Sequence, residues 1–227
     1  MSLSLLLIAL CSSTQASYAL FLAHNLRIAN GNFSLTSTRP ELEATEKGDV
    51  YVVWNDKSNI FFSSSGDNGT KFRNPALLSY NNTFSSSPQI AATERGDAYV
   101  VWVDKNSTTG DTDIEFRASN DSGKSFGQRK ELNDFIATAP QIAVTEGELY
   151  AVWFESRVQF NEIPENGAIL GYPVSLGNWT KFSSFPQIAS TQGGNIYVVW
   201  IDYKDNTSGD KALYFKRISE DFFDRNP

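Results

Sequence analysis

Residues 88–102 read PQIAATERGDAYVVW, and three other parts of the chain repeat this pattern. In each copy a proline precedes an apolar segment, a threonine and a short polar turn follow, and a run ending in tryptophan completes the unit. The four runs are Tyr51-Val-Val-Trp54, Tyr99-Val-Val-Trp102, Tyr150-Ala-Val-Trp153 and Tyr197-Val-Val-Trp200. Self-similarity at a period of about 20–50 residues is typical of solenoids and propellers. The chain therefore contains four related structural units.

The spacing and composition of these units predict an all-β chain. The tryptophans lie 48, 51 and 47 residues apart, and the prolines at 40, 88, 140 and 186 precede them by 13 or 14 residues. Short runs rich in Val, Ile, Tyr and Phe recur, whereas apolar residues at helical spacing do not. The runs that end in tryptophan are apolar on both faces, as the inner strands of a propeller blade are. We expect a β-propeller of four blades, each with four antiparallel strands and with the proline at the first residue of its strand.

The blades are predicted near residues 40–80, 88–133, 140–178 and 186–227. Outer strands are expected at 76–79, 129–133 and 174–176 in the first three blades, but the chain ends nine residues after Ile218. The segment 25–29 is predicted to supply the missing outer strand and to close a monomeric ring, which removes an exposed sheet edge. An open fragment, or an oligomer that completes a larger ring, remains the alternative.

Two segments follow the pattern Ser-x-Asp-x-Gly-x-x-Phe. They span residues 65–72 and 119–126, and the matching residues are Ser65, Asp67, Gly69, Phe72, Ser119, Asp121, Gly123 and Phe126. The Asp carboxylate suits a tight turn because it can accept backbone N–H bonds, and Gly adopts backbone angles that other residues avoid. These segments resemble the Asp box, or BNR repeat, of sialidase-type β-propellers. The resemblance covers roughly residues 24–227 and implies a structural role for both boxes; degraded copies stand at 165–170 and 219–223.

The same resemblance raises the question of exo-sialidase activity. Such an enzyme implies an arginine clamp for the sugar carboxylate, a Tyr–Glu nucleophile pair and an Asp acid. The nearest match to the family's first clamp motif, Phe-Arg-Ile-Pro, is Leu26-Arg27-Ile28-Ala29, which lacks both flanking residues. His24 is the single histidine, which argues against a His-cluster metal site or a Ser-His-Asp triad. We assign no catalytic residue and predict a binding or scaffold module for a glycan or protein ligand, with a sialidase-type glycoside hydrolase as the alternative.

An acidic residue follows each repeated tryptophan by two positions. These residues are Asp56, Asp104, Glu155 and Asp202. Rotation about a propeller axis would place them in a ring on one rim, and they are the candidate binding residues. Converging side chains could bind Ca²⁺, which prefers oxygen ligands; otherwise each acid satisfies backbone N–H groups of its own turn. The sequence assigns neither a cofactor nor a metal ligand.

Charge and the N-terminal sequence bear on the partners and the location. With 26 acidic and 19 basic residues the net charge is -7, which disfavours nucleic acid and anionic membrane surfaces as partners. Residues 1–19 combine an apolar run with small polar residues and resemble a secretory signal peptide, or alternatively a retained anchor; the single cysteine, Cys11, lies in this segment. We expect a secreted or cell-surface protein whose mature domain, residues 20–227, does not insert into a membrane. Sequons for N-linked glycans occur at Asn32, Asn68, Asn81, Asn106, Asn120, Asn178 and Asn206.

Overall fold

The computed structural model describes residues 25–29, 39–80, 83–133, 136–164, 173–177, 183–203 and 210–219. These residues form four antiparallel sheets in chain order, one for each sequence repeat. Blade one contains β1 (Glu41–Ala44), β2 (Val50–Asp56), β3 (Asn59–Ser65) and β4 (Ala76–Leu77). Blade two contains β5 (Thr83–Ala92), β6 (Ala98–Asn106), β7 (Thr112–Ser119) and β8 (Lys130–Glu131). Blade three contains β9 (Thr138–Thr145), β10 (Glu148–Glu155), β11 (Arg157–Ile163) and β12 (Val174–Ser175), and blade four contains β13 (Ser183–Ser190), β14 (Ile196–Tyr203) and β15 (Lys211–Ile218). The four blades and the outer strands of the first three are as predicted.

Blades pack on one another through the first strand of each blade. β5 lies against β1, β2 and β3 of blade one, β9 against β5, β6 and β7, and β13 against β9, β10 and β11. The apolar core is correspondingly divided into three clusters, one at each junction. Trp102 is completely buried at the first junction, beside Tyr51 and Val53 of the preceding blade. In blades two and three, the strands that are apolar on both faces are therefore covered by a blade on each side.

The prolines of blades two to four lie inside their strands, which corrects the prediction that each begins its strand. Pro88 lies within β5, Pro140 within β9 and Pro186 within β13, and at each of them the pairing with the second strand shifts register. The preceding residue has a positive φ of 52° to 54° in all three blades. A β-bulge leaves the bulged residue outside the hydrogen-bond ladder, so it accommodates a residue without an N–H.

The predicted closing strand is not present. Residues 25–29 form no strand, and Ile28 and Ala29 lie beside Trp54 and Phe61 of blade one. In the described part of the chain, blade four has three strands. These strands do not form a junction with blade one like the junctions between consecutive blades. The physical reason is that no blade precedes blade one among the described residues, and Ile28 and Ala29 line part of the face left open.

Among the described residues, no helix has the length and apolar character required to cross a membrane. The segment 1–19, His24 and most of the degraded copies of the box fall outside the described residues.

Candidate functional site

The four candidate acids hold the same position in their blades but have different partners. In blade three the indole Nε1 of Trp153 donates a 3.0 Å hydrogen bond to Glu155, and in blade four Nε1 of Trp200 donates one of 2.9 Å to Asp202. Asp202 is 3% exposed. Each of these two carboxylates thus accepts the indole N–H of the tryptophan in its own strand and has a structural role.

Asp104 of blade two belongs to a buried ionic cluster instead. Ser85 Oγ donates to one carboxylate oxygen at 2.9 Å, and Arg129 Nη1 lies 3.0 Å from the other. The same Arg129 nitrogen lies 2.9 Å from Glu115. Asp104 and Glu115 are 2% and 4% exposed, so two buried carboxyl groups share one guanidinium.

This sharing affects the proton affinity of Glu115. Burial raises the pKa of Glu115 from 4.5 to about 7; Arg129 lowers it in part, and Asp104 raises it further. One positive charge cannot balance two buried carboxylates, so a proton on Glu115 offsets the remaining charge. The sequence pattern alone did not indicate a role for Glu115 or Arg129. The available signal was a glutamate at a strand position where the other blades have Phe61, Gln159 or Tyr214.

The Arg129 guanidinium also lies over the ring of Tyr80, with its carbon 4.4 Å from the ring centroid, and Arg117 lies 6.0 Å from the same centroid. Tyr80 is 51% exposed. Asp104 and Glu115 neutralise Arg129, which leaves Arg117 as the cation beside Tyr80, fewer than the several arginines of a carboxylate clamp.

Asp56 of blade one differs from the other three acids. Its Oδ1 is buried and has no hydrogen-bond partner. It lines a cleft of about 340 Å³ together with Trp54, Phe61, Asn74 and residues 28, 29 and 75. The rings of Trp54 and Phe61 stack with their centroids 5.9 Å apart at 20°. Apolar ring surface next to an unsatisfied acceptor and an amide is suited to a ligand with both C–H faces and hydroxyl donors.

The two Ser-x-Asp-x-Gly-x-x-Phe segments form hydrogen-bonded turns. Ser119 Oγ donates to Asp121 at 2.7 Å, and the N–H groups of Lys124 and Ser125 each donate to the same carboxylate oxygen at 2.9 Å. Burial opposes ionisation of Asp121, but the hydrogen bonds from Ser125, Ser119 and Lys124 outweigh it and lower its pKa to about 2. In the first segment, hydrogen bonds from Ser65 and from the Lys71 N–H lower the pKa of Asp67.

The second of these turns packs on the preceding blade. Phe126 meets Phe62 of blade one edge to face at 4.7 Å, and Ser64 and Arg73 of blade one donate to the Ser122 carbonyl. A Cβ added at Gly123 would lie 2.6 Å from Phe62 Cζ. This turn therefore joins two blades and does not line the cleft at Asp56.

Within the described residues, no group of three or more His, Cys, Asp or Glu side chains is arranged to hold a metal ion. Each of the four candidate acids has its own surroundings. Glu155 and Asp202 accept hydrogen bonds from indoles, Asp104 pairs with Arg129, and Asp56 lines the cleft. They do not share a ligand position.

No protein-family model matches this sequence, and no curated protein sequence is similar to it. Solved structures do resemble it. An α-L-arabinanase of Penicillium chrysogenum, solved with arabinobiose, has a TM-score of 0.62 at 14% identity, over 84% of this chain and 65% of that one. A GH93 α-L-arabinofuranosidase of Fusarium graminearum, also with arabinobiose, has a TM-score of 0.63 at 11% identity, over 86% and 66%.

A sialidase of Streptococcus pneumoniae is also similar, with a TM-score of 0.54 at 14% identity over 79% of this chain and 30% of the enzyme. The resemblance thus extends to several sugar-cleaving propellers and is not specific to sialidases. The chain spans less than two thirds of the length of each of these three structures. At such identities the likeness shows the fold alone. The chain is an all-β protein with the β-propeller fold, and its described residues build four blades.

Proposed function

We propose that this chain is a glycan-binding β-propeller that holds a neutral sugar in the cleft at Asp56. The observation that carries the proposal is the unpartnered, buried Oδ1 of Asp56 beside the stacked rings of Trp54 and Phe61. A buried acceptor without a donor is costly, and a ligand hydroxyl would remove that cost. The three equivalent acids already have protein partners, so the cleft distinguishes blade one from the rest.

The lining of the cleft favours an uncharged sugar over a carboxylated one. Asp56 contributes negative charge, Asn74 adds an amide, and none of the described side chains that line the cleft is Lys or Arg. A sialic acid carboxylate would meet repulsion here without a guanidinium to bind it. Arabinobiose, the ligand in two of the similar structures, is therefore a suitable first probe.

The test is titration of the full chain with arabinobiose and, separately, with sialyllactose, followed by calorimetry. We expect binding of arabinobiose alone. Asp56→Asn should weaken it about tenfold, as expected when one hydrogen bond to a charged group is lost. The matched control is Asp202→Asn, the same change at the same position of blade four, which should leave affinity unchanged. Equal effects of both variants, or no binding to any neutral sugar on a broad array, would contradict the proposal and favour a protein ligand.

One observation favours a second candidate, a glycoside hydrolase. Glycosidases use two carboxyl groups, one of them protonated near neutral pH, and Glu115 has a pKa of about 7 beside Asp104. Both groups are buried and paired with Arg129, so substrate access would require Tyr80 and Arg129 to move. Turnover of 4-nitrophenyl α-L-arabinofuranoside that disappears in Glu115→Gln would support this activity. Turnover that is unchanged by the substitution would assign the cluster to stability.

Export to the cell surface or the medium is part of the proposal. It rests on the apolar run Leu3–Leu10 and the seven sequons. N-terminal sequencing of the protein recovered from its host tests this point. Recovery of the intact first residues from the cytoplasm would contradict export.

A further inference from the structure

One face of blade four is apolar and exposed, although the equivalent faces of the other blades are buried. On this face Leu213 pairs with Ile201 and Phe215 with Val199. Leu213 is 76% exposed and Phe215 is 65% exposed. The equivalent residues of blades one to three are at most 1% exposed; they are Ile60, Phe62, Ile114, Phe116, Val158 and Phe160.

The three buried faces identify what covers a surface of this kind. In each case the cover is the first strand of the following blade, namely β5, β9 and β13. An isoleucine of that strand, two residues after its proline, contributes to the junction; in β5 it is Ile90, which is 8% exposed. By analogy, the blade-four face should be covered by the first strand of another blade, with an apolar side chain two residues after the proline.

Among the described strands, β1 is the first strand with no blade before it, although β5 of the following blade packs on its other face. β1 carries Leu42 at the position of Ile90, and Leu42 is 64% exposed. Within one chain, β1 and the described strands of blade four do not pack together as neighbouring blades do. Both halves of a fourth junction are thus exposed.

The two faces of each strand carry different residues. Along β15, Lys211, Leu213, Phe215 and Arg217 occupy alternate positions and share one face, so basic side chains border the apolar surface. In β1, Glu41 and Glu43 lie on the face opposite to Leu42, where Gln89 of β5 donates to Glu41. Like charges at the rim disfavour the packing of two blade-four faces on each other, whereas the exposed face of β1 at Leu42 is apolar.

We propose that the blade-four face binds β1 of a second copy of this chain, head to tail, in the manner of the three internal junctions. The contact is heterologous, since two different surfaces meet. It replaces the monomer expected from the sequence and extends the alternative of an oligomer. Trp54, which lines the cleft at Asp56, lies on the same face of blade one as Leu42, so the proposed contact brings blade four of the second copy next to this cleft.

Sedimentation of the full chain over a range of concentrations tests the proposal. We expect the mass of the wild type to rise with concentration. Leu213→Asp removes one surface and Leu42→Lys removes the other, so each variant alone should remain monomeric. An equimolar mixture should form a 1:1 heterodimer and nothing larger, because each variant keeps one intact surface. Leu77→Asp, at an exposed leucine of β4, is the matched control and should associate like the wild type.

The alternatives give different results. Self-association that persists in Leu42→Lys would mean that the blade-four face pairs with itself, which overturns β1 as the occupant. A wild type that is monomeric at every concentration would overturn the proposal altogether. If either leucine variant fails to fold by circular dichroism, Phe215→Ser on the same exposed face replaces it. Loss of this apolar side chain should weaken association by about tenfold or more, and an unchanged dissociation constant would contradict the contact.

Discussion

Equivalent residues in a repeat protein need not have equivalent chemistry. Asp56 and Asp202 lie at the same position after a repeated tryptophan, yet Asp202 accepts the indole N–H of Trp200 while an oxygen of Asp56 has no partner. The difference arises from the surroundings, because blade four has a blade before it and blade one has the segment at Ile28 and Ala29. Identical sequence positions thus give a structural acid in one blade and a candidate ligand contact in another.

The buried Glu115 should make stability depend on pH in one direction. Its pKa is raised from 4.5 to about 7 in the folded state, so its favourable contribution is complete below about 4.5 and is lost as the pH rises to about 7. Glu115→Gln should remove this loss, on the order of 2 kcal/mol. Urea unfolding of both proteins at pH 5 and pH 8 measures it. A difference between the two proteins that is the same at both pH values would exclude this titration.

Gly123 is the residue at which the box turn touches the preceding blade. Gly123→Ala would place a Cβ 2.6 Å from Phe62 at a φ of 71°, and we expect a loss of about 1–3 kcal/mol from overpacking in addition to backbone strain. Gly69→Ala is the matched control, since Gly69 has the same position in blade one and a φ of 74° but meets nothing closer than 3.9 Å. Chemical denaturation of both variants measures the difference. Equal losses would show that the contact with Phe62 is unimportant.

At the scale of the strand, the first strands of blades two, three and four each contact two sheets. Each pairs with the second strand of its own blade and packs on three strands of the blade before it. The bulges at Pro88, Pro140 and Pro186 lie in these strands, where the pairing with the second strand shifts by a residue. A bulge bends and twists its strand, which suits a strand that contacts two layers at once.

The second strand contributes the tryptophan that fills the junction. Trp102 is fully buried, and its Nε1 has no hydrogen-bond partner, so its contribution comes from packing. Trp102→Ala should cost about 3–5 kcal/mol, and Trp102→Phe, which keeps an aromatic ring, should cost less. Thermal and urea unfolding would measure both. Full retention of stability in the alanine variant would contradict the repeat assignment at this position.

The sequence predicted the elements that depend on local pattern and missed those that depend on neighbours. The repeats indicated the blades and the outer strands at Ala76–Leu77, Lys130–Glu131 and Val174–Ser175. The role of the segment 25–29 was predicted wrongly, because it packs against an exposed face that only the assembled blades create. The Glu115–Arg129 pair was missed for the same reason, since its members come from different strands of blade two.

At the scale of the whole molecule, the four blades are not equally protected. Blades two and three each have a neighbour on both faces, whereas Leu213 and Phe215 of blade four are exposed. Backbone amides of β14 and β15 should therefore exchange with deuterium about tenfold or more faster than those of β6 and β7. Hydrogen exchange read by mass spectrometry at low protein concentration tests this. Equal protection of all four blades would indicate a closed ring in solution.

Because each new first strand covers the blade before it, the blades can assemble in sequence order during synthesis. A ribosome releases the blades in sequence order, so blade one leaves the exit tunnel with its apolar face uncovered until β5 follows. Each later blade covers its predecessor and exposes a new face of its own. The nascent protein therefore exposes, besides β1, the uncovered apolar face of its newest blade at every stage. This face moves along the chain by one blade at a time and, among the described blades, reaches β14 and β15.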